Sequence, residues 1–414
     1  MQRIIINVKG KHIVQCNNSY YSLYNTFYLL LQAFTWFADV LLEHNEMFWS
    51  LFTVDMDACL ETQHPENWEI FSLFSLLNSY LLTDKNLVHG EFHKHLKDIF
   101  APQVVRYVDL MQSSIAQSVH KGFTSKEKWE PKGAGCVTSD DVLWKLDALQ
   151  TFIKELQWPD DVFAEHLEGR LKLMASDMME AMGNRTISAF GSMLSRCSKG
   201  LDFVVPSEIC VMVNTLSDCK AQALKLCIMA GESTHRYHIH IEEYLESAIK
   251  HILDSLLERF LLVLDITLQK LKRYDEGSFL KSILTLTKPT NELGQEYIIF
   301  VFGNMDMICN KITDDGYFGN TLLEMWYGQQ VDIIHKWLAE RVEMTLHPYQ
   351  LTCLIHIIKR LRHDFELQGT LCEEISNSAY DAICKRLSVE ETSQAVNESR
   401  PARTLASLSV DLDT

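Results

Sequence analysis

The segment Phe92–Phe123, FHKHLKDIFAPQVVRYVDLMQSSIAQSVHKGF, constrains the fold of this chain more than any other. Val104, Val108, Met111, Ile115 and Val119 recur at steps of four, three, four and four, the spacing that gathers apolar side chains on one side of a 3.6-residue helix. Pro102 suits the first turn of such a helix, where its missing N–H has no partner to lose, and Gly122 suits the left-handed residue beyond its end. A stripe of this length has to be buried against other elements.

The same pattern fills most of the chain. Helices are expected over about 20–42, 45–61, 68–83, 90–99, 102–121, 140–156, 160–197, 207–229, 239–273, 294–313, 318–344, 347–367 and 372–386, with ends uncertain by about 2–4 residues. The boundaries follow the punctuation at Pro65, Pro131, Gly133, Pro159, Gly200, Pro206, Gly231, Gly277, Pro289, Gly316, Pro348 and Gly369. After Pro159 one stripe, Phe163, Leu167, Leu171, Met174 and Met178, has Glu165, Glu168, Arg170 and Lys172 around it as a solvated back. Over 245–271 the apolar face is wider, as for a helix enclosed on several sides. No stretch alternates cleanly enough for a sheet, and no period of 20 to 50 residues is visible. The fold class expected is all-α, with short connections that favour antiparallel neighbours.

Three regions follow: a divergent segment over 1–19 with a possible hairpin at Gly10, a helical body over 20–391, and a polar tail over 392–414 expected to be disordered. With 47% apolar residues among 414 the chain can fill a large core. Its formal charge of −17 repels phosphate backbones, so nucleic acid is not an expected partner. The 11 cysteines contain no C-x-x-C and mostly sit in apolar helical patterns, as thiols of a reducing compartment do. Tyr28–Phe37 is interrupted by Gln32 and followed by Asp39, too short a run to span a membrane.

Catalytic signatures are missing: there is no H-E-x-x-H, P-loop, G-x-G-x-x-G or G-x-S-x-G. His93 and His95 are two apart, which turns them about 200° from each other on a helix and away from one shared ion. His235, His238, His240, Glu242 and Glu243 are the densest group of possible ligands. His238 with Glu242 gives only two of the three or four ligands zinc normally takes, and a helix start at the surface is the preferred reading of the group. Asp160 and Asp161, like Asp314 and Asp315, sit where carboxylates favour a helix N-terminus. No cofactor, metal or catalytic residue is expected.

The Phe92–Phe123 segment resembles a signature stretch of the MUN domain of the CAPS family, the calcium-dependent secretion activators of dense-core vesicle exocytosis. So do FWSLFTVDMDACLE at 48–61, LWKLDALQ at 143–150, HLEGRLKLMASDM at 166–178, KLKRYDEGSF at 270–279, HPYQL at 347–351, DFELQGTL at 364–371 and KRLSVEE at 385–391, in the same order. The resemblance covers roughly 21–392 and implies the C-terminal part of that domain, an elongated rod of stacked helical bundles related in shape to vesicle-tethering subunits. It further implies a priming factor that binds SNARE proteins, chiefly syntaxin, and promotes SNARE-complex assembly. Such a protein is cytoplasmic and peripheral on dense-core or synaptic vesicles and presynaptic plasma membranes. A non-priming tether or scaffold is the alternative. Calcium and phosphoinositide recognition in the family belong to C2 and PH modules, and no residue here takes them over.

SNARE helices are mixed in charge, so an acidic body needs local basic spots to guide them. Lys336, Arg341, Lys359, Arg360 and Arg362, with His363 beside them, form the best concentration. The competing reading of the same residues is a solvated helix back.

Overall fold

The computed structural model describes residues 38–64, 66–83, 85, 87–88, 90–123, 129–132, 135–228, 236–275, 292–313, 317–369 and 378–399. The hairpin expected in 1–19 and most of the helix expected over 20–42 lie outside the described residues. Those residues form eleven helices and one minimal hairpin, an all-α fold. The helices are α1 (Ala38–Glu61), α2 (Ile70–Leu81), α3 (Glu91–Gly122), α4 (Val137–Leu156), α5 (Asp161–Arg196) and α6 (Ser207–Ile228). They continue with α7 (Arg236–Lys272), α8 (Glu292–Lys311), α9 (Tyr317–Ala339), α10 (Pro348–Leu367) and α11 (Ser378–Ser399). Strands β1 (Pro131–Lys132) and β2 (Gly135–Cys136) pair antiparallel, a two-residue ladder too short to leave an alternating pattern in the sequence.

The chain divides into two compact units. The first holds α1, α2, nearly all of α3, most of α4 and α5 as far as Met178. Its core is aromatic. Trp49 of α1 stacks on Phe92 of α3 at 4.5 Å, and Phe74 of α2 lies 5.2 Å from Phe100 and 4.8 Å from Trp158. Two helices expected over 90–99 and 102–121 are one continuous α3 with Pro102 inside it. Phe92, Leu96 and Phe100 carry the stripe straight into Val104, Val108, Ile115 and Val119, all buried, and this packing outweighs the proline's lost hydrogen bond. Met111 is only half-buried.

The second unit holds the hairpin, the rest of α5, and α6 through α11. Here α8 packs on α10, and α9 and α10 both pack on α11. Along α7, Leu245, Ile249, Ile252, Leu256, Phe260, Val263 and Leu271 are buried, joined by Leu253, Leu257, Leu264 and Leu268. The wide face expected for this helix is thus enclosed on more than one side.

Helix ends are held by side chains from other helices. An α-helix leaves four carbonyls without intrahelical partners at its C-terminus. In the first unit, Asn78 of α2 donates to Leu156 O (3.4 Å) and Gln157 O (2.8 Å) at the end of α4. In the second, Arg259 of α7 donates to Leu194 O (3.0 Å) and Ser198 O (2.8 Å) at the end of α5. Asn214 of α6 donates to Lys311 O at 2.8 Å, ending α8, and Gln350 of α10 donates to Leu271 O at 2.9 Å in α7. Such donors do for these ends what a C-cap glycine does elsewhere.

Two expectations for the outer surface need correcting. Lys172, assigned to the solvated back of α5, is buried at 2% exposure beside Ala175, because that helix is covered on a second side as well. The helix expected to end at 386 runs to Ser399, past the boundary at 392 where disorder was expected to begin. Within the added turns Gln394 Nε2 donates to Leu346 O at 2.8 Å, a tie to the residues before α10 that lies 48 positions away in sequence.

Candidate partner-binding surface

The first unit carries an open groove of about 640 Å³ between α2, α3 and α4. Its floor is aromatic: Tyr107 lies 5.0 Å from Trp68, 5.6 Å from Phe71 and 4.5 Å from Phe152 between ring centroids. Helical spacing builds the wall, since Ser72, Ser75 and Ser79 of α2 follow one another at steps of three and four, with Leu76 among them. Glu155 and Leu156 of α4 close the opposite side. Burial pushes the Tyr107 phenol above its ordinary pKa, so it stays neutral. The arrangement is an apolar trough with a hydroxyl rim, fit to receive apolar side chains rather than to move protons. Sequence reasoning missed it. Tyr107 falls between stripe positions 104 and 108, and the Trp68/Phe71 pair at i, i+3 was the available signal.

The basic residues singled out from sequence meet different fates. Arg341, just beyond α9, is buried: its Nε lies 3.1 Å from Asp275 Oδ1, and its guanidinium stacks 3.7 Å over Trp337. Arg360 pairs with Asp364 at 3.1 Å and Arg362 with Glu366 at 2.7 Å, each one helical turn away. Arg362 also lies 4.9 Å over the Tyr380 ring of α11. Lys336 and Lys359 are exposed. Of the five, only these two lysines keep both exposure and no ion pair among the described residues.

The histidines take structural positions. His93 is buried between Val88 O (2.7 Å) and Asn78 Oδ1 (3.0 Å), and His95 reaches Asp57 at 3.0 Å. Among the described residues no group of three or more His, Cys, Asp or Glu is placed to hold a metal ion. His235 lies outside them; His240 and Glu243 are exposed on the first turns of α7. No helix of the described residues is long and apolar enough to cross a membrane.

Several of the sequence segments that carry the family resemblance meet one another where helices pack. Asp57 of the 48–61 segment meets His95 of the 92–123 segment. Arg170, in 166–178, pairs with Asp109 and reaches Gln112 at 3.0 Å. Tyr274 and Asp275 of 270–279 meet HPYQL at 347–351: Tyr274 stacks on Tyr349 at 4.6 Å and Asp275 accepts from Gln350 at 2.8 Å.

The described residues thus form a helical body whose helix ends are held by polar side chains from other helices, with an aromatic groove on one unit. The MUN domain model matches residues 12–319 and 318–365. The calcium-dependent secretion activator of Drosophila melanogaster is 42% identical over 426 residues, covering 88% of this chain. The chain spans 29% of that relative's length. It belongs to the MUN-domain family, with the calcium-dependent secretion activators.

Proposed function

We propose that this chain is a non-catalytic docking module of a secretion activator, one that primes dense-core vesicles by binding SNARE proteins, chiefly syntaxin, and promoting SNARE-complex assembly. The observation that carries the reading is the 42% identity to a calcium-dependent secretion activator over 88% of the chain. The groove around Tyr107 supports it physically. A trough of this size takes anchors spaced i, i+3, i+4 and i+7 along an amphipathic helix, the form in which SNARE segments present their apolar side chains. Binding that favours one conformation of the partner shifts its population without breaking a bond. Lys336 and Lys359 are the exposed cations assigned to guide the mixed charges of such helices, while Arg360 and Arg362 contribute only what their neighbouring carboxylates leave. Association with vesicle or plasma membranes is then peripheral and runs through partners or through modules outside this chain.

The reading is tested by following SNARE-complex assembly with labelled syntaxin and vesicle SNARE, with and without the purified chain. Faster assembly is the expected result. Clustering of SNARE-free vesicles with no change in assembly rate would instead identify a tether.

A further inference from the structure

Helix α1 is apolar on two sides. Its inner side buries Trp49, Phe52 and Met56. Its outer side leaves Val40, Met47, Leu51 and Val54 exposed at 49%, 51%, 53% and 65%. With His44 and Ala58, also exposed, these positions run 40, 44, 47, 51, 54, 58, at steps of four, three, four, three and four. That is the a/d alternation of a coiled-coil seam, sustained over about 27 Å of helix. Isolated apolar residues on a surface need no explanation, but an aligned row does.

The edges of the seam are acidic. Glu43 flanks one side and Asp55 the other, both exposed, and Glu61, seven residues after Val54, continues the row itself. The whole helix carries Asp39, Glu43, Glu46, Asp55, Asp57 and Glu61 and no Lys or Arg.

We propose that the outer face of α1 is the docking seam for one amphipathic helix of a separate protein, whose apolar a/d stripe is flanked by Lys or Arg. The spacing selects a helix, because a strand presents side chains with a period of two and cannot follow alternating steps of three and four. The flanks select a basic partner, since charges beside the a and d positions decide which helices pair. A second copy of this chain brings the same acidic edges and is repelled. Of the chain's own residues before α1, only Arg3, Lys9 and Lys11, all within the first eleven, carry a positive charge to meet them. The inference rests on α1 alone and holds whatever the groove around Tyr107 binds.

The test titrates the whole chain into two fluorescent designed helices, both with Leu at every a and d position, one with Lys and the other with Glu at every e and g. The Lys-flanked helix is expected to bind, more weakly as salt rises, and the Glu-flanked one is not. Leu51→Ser with Val54→Ser, both at exposed positions, is expected to weaken binding by about tenfold or more while circular dichroism and melting temperature stay unchanged. Absence of binding, equal binding of both peptides, or binding indifferent to the two substitutions overturns the proposal. A clear drop in melting temperature overturns it too, because the seam would then be covered from within the chain. So does a wild-type dimer in sedimentation that the substitutions dissolve.

Discussion

Arg341 and Asp275 form a two-pronged ion pair, Nε to Oδ1 at 3.1 Å and the second guanidinium nitrogen to Oδ2 at 3.1 Å, that joins the turn after α9 to the residues after α7. Asp275 also accepts from Gln350, and Arg341 donates to Trp337 O at 2.8 Å. Removing one partner strands the other in a site where their side chains are 5% and 16% exposed. Arg341→Ala is therefore expected to cost about 3–5 kcal/mol. Arg341→Lys recovers only part of this, because an ammonium can neither form the fork nor stack as a plane. Urea denaturation of the two variants checks both statements, and a lysine variant as stable as the original would refute the second.

Gly294 of α8 faces the backbone of α10: a Cβ there would lie 3.1 Å from Cys353 O and 3.2 Å from Cys353 Cα. Backbone cannot swing aside as a flexible side chain can. Gly294→Ala is expected to spread the two helices and destabilise the second unit by about 1–3 kcal/mol, despite alanine's better helix propensity. Thermal melts give the sign directly.

Gln157, the residue after α4, has φ of 44°, a left-handed conformation that disfavours side chains with a Cβ. Its side chain is exposed, and its carbonyl is already held by Asn78. Gln157→Gly is expected to stabilise the protein by about 1 kcal/mol. A β-branched residue there should destabilise it instead, and the pair of melting temperatures makes the comparison.

Asp218 of α6 has its pKa raised by burial and, next, by the nearby Asp140 carboxylate. The folded state therefore holds that proton to a higher pH than the unfolded chain, whose Asp titrates near about 3.9. Stability falls as pH rises from that value through the folded one, and the loss is complete above it. Asp218→Asn, which cannot ionise, is expected to match the original protein in melting temperature at the acid end and exceed it at neutral pH. A difference independent of pH would contradict the assignment.

Helix periodicity made most of the fold legible, because burial on one side of a helix writes itself into the chain every three or four residues. α2, α4, α5, α6 and α10 begin and end within three residues of their expected bounds. What failed depended on neighbours distant in sequence. Pro102 reads as a start until the stripe on both sides of it is seen to pack as one. Lys172 reads as solvated until a second covering face appears, and residues 392–399 read as tail until Gln394 finds Leu346. The helix-end donors Asn78, Asn214, Arg259 and Gln350 leave no local trace, since each acts on a carbonyl dozens of residues away. Arg341 shows the same limit for the candidate site: a basic cluster in sequence gives no sign that one member is enclosed by Trp337 and Asp275.

The most direct test fills the groove without touching the core. Ser72 and Ser79 are exposed on its rim, and Trp at both positions is expected to occupy the trough while leaving circular dichroism unchanged. Calorimetric titration with the cytosolic part of syntaxin should then show binding to the original chain and at least about tenfold weaker binding to the double variant. Equal affinity for both, or no binding to the original chain, would contradict a groove-borne docking function.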